Sequence, residues 1–345
     1  MKGSVVALGQ VNGQRVAARF VDGQLDDLLV DAPEGAAPSP GAIFRAKVGR
    51  PMKGQGGIIC DLGGGMRGYL RGAKAVRTGQ SILVQVTGHA EGGKATPVTP
   101  RILFKSRYAI VTPDAPGLNI SRAIKDEEER VRLKEIAVDI LADCPFGLIL
   151  RSACEGADED AIAADIEAMR STAEAVVADA DGVPELLLSA PDAHELAWRD
   201  WPHPDVIDDS ANALNDHGVH EALDATLSPR CDLDGGAFAW IEPTRALVAV
   251  DVNTGRDTSL AAGLKANLAL ARALPRLLRC RGLGGAITLD LAPMPKKDRK
   301  QFEHVVRAAF KADGIETALA GWTPLGHYEL QRKRERLPLA DILTR

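Results

Sequence analysis

Two apolar runs that each end in an aspartate constrain this chain more than any other feature. Leu247-Val248-Ala249-Val250 runs into Asp251, with Asn253 two residues on and Gly255 closing the turn. Strand side chains alternate between faces, so Asp251 and Asn253 point the same way. Ala286-Ile287-Thr288-Leu289 follows the Gly284-Gly285 turn and ends in Asp290. Carboxylates at the ends of two buried strands suit magnesium, a hard cation held by one or two carboxylates plus waters. An aspartate at a strand end also caps loops and helix starts, and for one strand alone that is the commoner use. Two such ends separated by one helix favour a site.

The 345 residues suffice for two or three units with real cores. Hydrophobic residues make up 45% and charged residues 26%, an ordinary globular composition, but aromatics are only 4%, so the core is aliphatic and any stacking platform small. A net charge of −5 excludes a uniformly basic nucleic-acid coat while leaving local patches open. Five scattered cysteines (60, 144, 154, 231 and 280) form no C-x-x-C pair, so zinc held by paired thiolates is not expected, and a reducing compartment is. With no signal pattern and no apolar run long enough for a bilayer, a cytoplasmic protein without membrane partners is expected.

In chain order, residues 1–38 read as a small antiparallel sheet with a hairpin at Asp22-Gly23, ending in a Pro/Gly/Ala linker. Short, glycine-punctuated strands over residues 41–101 predict a five-stranded barrel of the OB type. Gly63-x-Gly65-x-x-Gly68 matches a dinucleotide fingerprint formally, but strand rather than helix follows it, which excludes that reading. Tyr69, with Arg45, Lys47, Arg67 and Lys94 as possible neighbours, suits single-stranded nucleic acid; a solvated surface with one ordinary tyrosine explains them as well. Residues 102–182 hold a strand at 108–113, an acidic-start helix from Asp126 and a helix over 157–180. The strand Gly147-Leu148-Ile149-Leu150 delivers Arg151 and Ser152 at its end. Guanidinium beside hydroxyl suits a phosphate, although an arginine paired with a surface acid is the commoner use.

Residues 183–228 read as a strand, short helices and a loop-like turn over 198–204; His217 and His220 read as structural or surface residues. From Asp234-Gly235-Gly236 onward the pattern is strand, strand, helix, strand, helix, strand. The helix carries an apolar stripe at Leu260, Leu264, Leu268, Ala271, Leu274 and Leu278. Pro275 inside it is expected to kink it, at roughly 3 kcal/mol uncompensated. Arginines at 272, 276, 279, 281 and 332–336 predict a basic face, which beside a carboxylate pair points to a phosphate-bearing polymer.

These motifs, in this order over some 300 residues, resemble the ribonuclease E/G family. The run Ala246 to Gly255 looks like its catalytic strand, with Asn267-Leu268 and the run Arg281 to Asp290 following in the family's order. The runs Asp126 to Leu133 and Gly147 to Gly156 resemble its 5′-sensor, and Gly68-Tyr69-Leu70 and Gly93-Lys94 its OB-fold module. The resemblance implies a multi-subdomain α/β and α+β fold. A ribonuclease-H-like scaffold would comprise residues 1–40 and 183–228, interrupted by an OB-fold barrel (41–101) and a 5′-sensor (102–182). A deoxyribonuclease-I-like catalytic subdomain (229–345) would follow. It further implies a magnesium-dependent endoribonuclease leaving 5′-phosphate and 3′-hydroxyl ends. Asp251 and Asp290 would hold Mg²⁺ and Asn253 orient Asp251. Tyr69 and Lys94 would hold single-stranded RNA, and Arg151 and Ser152 a 5′-monophosphate.

The chain departs from the family pattern in places. A second barrel aromatic falls on Ile59, the sensor hydroxyl is Ser152 where threonine is usual, and Pro293 stands where another aspartate is usual. The paired-cysteine zinc link and the small domain after it are absent, so a monomer, or a dimer through the catalytic subdomain, is expected rather than a zinc-linked tetramer. Two rival functions remain: an RNA-binding protein with weak or lost cleavage, favoured by Pro293 and Ile59, and a metal-dependent phosphatase of small substrates, which leaves the barrel idle.

Overall fold

The computed structural model describes residues 2–52, 54, 56–72, 76–90, 93–141 and 144–343. By its internal contacts the chain divides into two compact units, Met1–Glu34 with Pro204–Arg345, and Gly35–His203. The first opens with a meander of β1 (Ser4–Val11), β2 (Gln14–Val21) and β3 (Gln24–Val30). Both turns place two residues at positive φ, Asn12-Gly13 (53° and 82°) and Asp22-Gly23 (49° and 80°), as tight hairpins with right-handed twist require.

The second unit begins with a closed five-stranded barrel, fulfilling the expectation for residues 41–101. Its strands are β4 (Ile43–Pro51), β5 (Gly57–Gly63), β6 (Met66–Arg71), β7 (Ser81–Val86) and β8 (Thr96–Thr99). They hydrogen-bond in the order β4-β5-β6-β8-β7, and β7 pairs back onto β4 to close the ring. The interior is aliphatic, with Phe44, Val48, Leu62, Leu70 and Val84 buried together. A second sheet has the order β11-β12-β10-β9, from β9 (Phe104–Lys105), β10 (Ala109–Thr112), β11 (Gly117–Ile120) and β12 (Gly147–Leu150). Helices α1 (Glu127–Leu141) and α2 (Glu159–Ala178) share its core through Leu133, Ile136, Ile162 and Ile166. Then β13 (Glu185–Leu188) pairs onto β4 outside the ring, and α3 (Ala193–Asp200) ends the unit.

The chain rejoins its first unit with β14 (Val206–Asp208), parallel to β1, followed by α4 (Ala213–Asp216) and α5 (Val219–Leu227) over the meander. The remaining elements are β15 (Arg230–Asp232), β16 (Phe238–Pro243), β17 (Val248–Asn253), α6 (Ala262–Cys280), β18 (Gly285–Asp290), α7 (Arg299–Ala312), β19 (Thr317–Trp322), β20 (Tyr328–Arg332) and α8 (Leu339–Leu343). Their sheet has the order β15-β16-β17-β18-β20-β19. One core joins Val248, Val250, Val252, Ile287 and Leu289 of the central strands to Leu270 and Leu274 of α6 and Phe302 and Val306 of α7. Both helices therefore cover one sheet face. Among the described residues, no helix is long and apolar enough to cross a membrane.

Three local expectations are corrected. Leu260 is fully exposed and precedes α6, so the apolar stripe starts inside the helix, which runs on through Pro275. Residues 198–200 are helical because a capping box, Asp192 with Glu195, starts α3 early enough to include them. Arg45 is buried: it pairs with Asp179 (2.5 Å) and Glu185 (2.6 Å) and does not line the barrel surface.

Much of the expected basic face is drawn inward onto carboxylates and carbonyls, while Arg272, Lys333 and Arg334 stay exposed. Arg279 pairs with Asp313, Asp27 (3.2 Å) and Asp26 (3.5 Å), and Arg332 is fully buried on Asp313 (2.7 Å). Arg336 grips Asp27 with both terminal nitrogens (2.5 and 3.1 Å), Arg276 donates to the Leu25 carbonyl (2.9 Å), and buried Arg281 donates to the Leu277 and Ser228 carbonyls. Carboxylates on β3 and after α7 thus consume cations that sequence alone assigns to solvent.

Burial alone would raise the Asp27 carboxyl, but Arg336 and Arg279 hold it below its ordinary value of 3.8. Its stabilisation is therefore complete above the unfolded carboxyl value of about 3.9 and is lost as pH falls through the lower folded value. Asp27→Ala is expected to destabilise by about 3 kcal/mol at neutral pH, because it removes the carboxylate that half-buried Arg336 grips and one of the three that Arg279 pairs with. Urea midpoints measured from pH 7 down to pH 3 should fall more steeply for the parent than for the variant below about pH 4.

Candidate functional site

The register of β17 against β18 builds the centre of the site. These strands are parallel, with Val250 opposite Leu289 and Asp251 opposite Asp290. Val248, Val250, Val252, Ile287 and Leu289 take the core face, so alternation sends both carboxylates to the other. Neighbouring strands lie about 4.8 Å apart, close enough for two side chains to share one cation. Asn253 Nδ2 donates to Asp251 Oδ2 at 2.9 Å, fixing one carboxylate oxygen and leaving the other for a ligand.

The chain beyond Asp290 is held from below. Buried Asn267 on α6 donates from Nδ2 to the Ala292 carbonyl (2.9 Å) and accepts from the Ala292 amide at Oδ1 (3.0 Å). At Gly263 a Cβ would stand 1.9 Å from the Pro293 carbonyl, so only glycine lets the first turn of α6 approach this segment. Pro293 is thus packed backbone to backbone against α6. Between β17 and α6, Asp257 accepts from the Ser259 amide (2.8 Å) and from Lys265 (3.2 Å); these partners hold its carboxyl at about 2.

Two residues join this face without a sequence-level prediction. His327 precedes β20, and its Nδ1 lies 3.4 Å from Asp290 Oδ1. Trp240 on β16 stands in register opposite Asp251. The period-two pattern of β16 was a usable signal for Trp240. Nothing in the sequence reveals the pairing of β20 with β18 that brings His327 in.

The barrel and the second sheet hold the other expected residues. Tyr69 on β6 pairs in register with Ile59 on β5, so the position lacking an aromatic is its cross-strand neighbour. The Tyr69 ring lies over Gly57, where a Cβ would come within 2.4 Å of it. Lys94 is exposed, two residues before Thr96, which pairs with Gly68 beside Tyr69.

Ser152 is exposed and opens a short 3-10 turn, while Arg151 is turned inward. The Arg151 guanidinium donates to the carbonyls of Ser106, Arg107 (3.2 Å) and Arg199 (2.9 Å) and to Asp200 (2.8 Å). Lys105 (2.7 Å) and Arg199 (2.7 Å) converge on the same Asp200, and Arg107 stacks over Trp198 at 4.5 Å. Burial alone would raise the Asp200 carboxyl, but hydrogen bonds from Arg199 and Lys105 hold it at about 2. Burial lowers Lys105, and Arg199 and Arg151 add to that effect against Asp200.

The Ribonuclease E/G family model matches residues 104–210 and 203–335. Ribonuclease E of Nostoc sp. is 30% identical over 357 residues, spanning 90% of this chain and 51% of that protein. Ribonuclease E of Synechocystis sp. is 31% identical over 304 residues, spanning 76% of this chain and 45% of that protein. The chain belongs to the ribonuclease E/G family. Ribonuclease G of Salmonella typhimurium is 24% identical over 407 residues, spanning 97% of this chain and 81% of that protein. The chain therefore spans about half the length of the two ribonuclease E relatives.

Within this member of the ribonuclease E/G family, the Asn267 clamp makes a specific prediction. Asn267→Ala leaves a buried amide and a buried carbonyl of Ala292 unpaired, at about 2 kcal/mol or more. Denaturant unfolding of the variant should show that loss with an unchanged slope.

Proposed function

We propose that this chain is a magnesium-dependent endoribonuclease that cleaves single-stranded RNA and leaves 5′-phosphate and 3′-hydroxyl ends. The observation that carries the reading is the in-register opposition of Asp251 and Asp290 on the sheet face away from the helices, with Asn253 fixing Asp251. Among the described residues no group of three or more His, Cys, Asp and Glu side chains can hold a metal. The donors that the register sets opposite each other are the carboxylates of Asp251 and Asp290. That fits magnesium, which keeps several waters and completes its shell with substrate phosphate. Magnesium bound there would supply charge stabilisation at the scissile phosphate and a more nucleophilic water. Asp251 and Asp290 would hold it, and Asn253 keeps Asp251 from rotating away.

The names of the relatives, ribonuclease E and ribonuclease G, support RNA as the substrate. We read the barrel as an OB-fold whose Tyr69 and Lys94 hold the strand. The β1–β3 sheet with β14 reads as the ribonuclease-H-like scaffold and the β15–β20 sheet as the deoxyribonuclease-I-like one. The cations around Asp200 support an anion site for a 5′-monophosphate, with Ser152 as its exposed hydroxyl. For Arg151 to take part, it must give up Asp200 or one of its carbonyl partners.

A 5′-monophosphorylated AU-rich oligonucleotide with Mg²⁺ tests the reading. The parent should cut internally and Asp251→Asn should not, while Asn253→Ala should lose about 10–100-fold in activity, as supporting partners of metal ligands do. Binding without internal cuts by the parent would make this an RNA-binding protein instead. For the sensor, Arg151→Ala should lower the preference for 5′-monophosphate over 5′-hydroxyl RNA. An equal loss on both would assign Arg151 to holding Ser106, Arg107 and Arg199 together.

A further inference from the structure

The sheet face that carries the carboxylates also carries aromatics. Read across the strands at one level, the register is Arg230, Trp240, Asp251 and Asp290. One step along β16, Phe238 stands opposite Asn253. Two aromatics two residues apart on one strand thus face the two residues that make and orient the carboxylate pair. Phe238 is covered by the Arg230 guanidinium, 4.4 Å from the ring centre, and Arg230 also pairs with Asp232 at 3.0 Å. Trp240 is 37% exposed.

A single exposed tryptophan is ordinary in a soluble protein. The position of this one is not, in a chain whose aromatics are 4% of its residues. Directly opposed residues of antiparallel strands lie about 4.5–5.5 Å apart, so the indole begins one strand spacing from Asp251. A phosphate engaged at the carboxylates therefore has its neighbouring nucleotide within reach of the indole face. Successive bases stack on aromatic side chains where proteins hold single strands, and arginine adds cation–π attraction to such a shelf.

We propose that Trp240 is the stacking platform for the base next to the cleaved phosphodiester, with Phe238 under Arg230 forming its flank. This rests on the ribonuclease reading and adds a specificity-determining residue to it. A base flattened against the indole fixes the strand beside the carboxylates, so the platform selects unpaired nucleotides at the cut. A base still paired in a duplex cannot offer its face. It also gives the catalytic sheet its own grip on the strand, separate from that of Tyr69.

The test uses short 5′-monophosphorylated single-stranded RNAs, each lacking one base at a different position around a fixed cleavage site. For the parent, removal of one particular base beside the cut should lower kcat/KM by about fivefold or more, while other positions matter less. Trp240→Ala should show that loss on intact RNA and no further loss when the same base is missing, and Trp240→Phe should retain most of the effect. A loss of equal factor on every substrate, or no position of special sensitivity, would overturn the proposal. If the parent cuts none of these RNAs, the ribonuclease reading fails and fluorescence decides the stacking alone. Quenching of intrinsic emission by RNA that disappears in Trp240→Phe would uphold a base on Trp240, and unchanged quenching would remove it.

Discussion

The parallel pairing of β17 with β18 is the interaction on which the rest of the site depends. A slip of one residue on either strand would turn its carboxylate into the core and a valine or leucine out to solvent. What prevents the slip is burial: Val248, Val250, Val252, Ile287 and Leu289 fit one aliphatic core with α6 and α7. At about 25 cal/mol per Å² of apolar surface, withdrawing even two such side chains outweighs what a single ladder hydrogen bond contributes. The opposed carboxylates are thus held in place by residues of the other sheet face.

α6 does more than cross between those strands. Its first turns anchor the segment after Asp290 through Asn267 and the close approach at Gly263, and its last turn enters the ion network with Asp27 and Asp313. A buried guanidinium without a carboxylate is strongly destabilising, so that network ties the position of the helix to β3 and to the loop after α7. A shift of α6 along its axis would have to break both the clamp at one end and the ion pairs at the other.

Much of this was legible in the sequence, because burial patterns repeat with the period of the element. The strands ending in Asp251 and Asp290, the helix between them, the barrel and the strand ending at Leu150 follow from alternation and from glycine and proline punctuation. What escaped depends on pairs far apart in the chain. Arg279 and Arg336 look like solvated cations until Asp27 is placed beside them, some 250 to 310 residues away in sequence. Arg45 looks like barrel surface until β13 and Asp179 cover it. His327 meets Asp290 only because β20 pairs with β18 in one register. A lone sequence carries residue types and local periods, and charge partners at long range are neither.

The loss of the basic face changes how a polyanion can be held. Arg279, Arg281, Arg332 and Arg336 are committed to carboxylates and carbonyls and do not oppose phosphates, and the β15–β20 sheet adds the acids Asp251 and Asp290 of its own. On the proposed reading, those arginines would not bring a strand to this face by charge. Stacking would, since it needs no net charge and the register places a ring beside Asp251. On the proposed reading, a chain of net charge −5 separates two tasks: barrel cations such as Lys94 would grip the strand, and the β15–β20 sheet would orient it by shape.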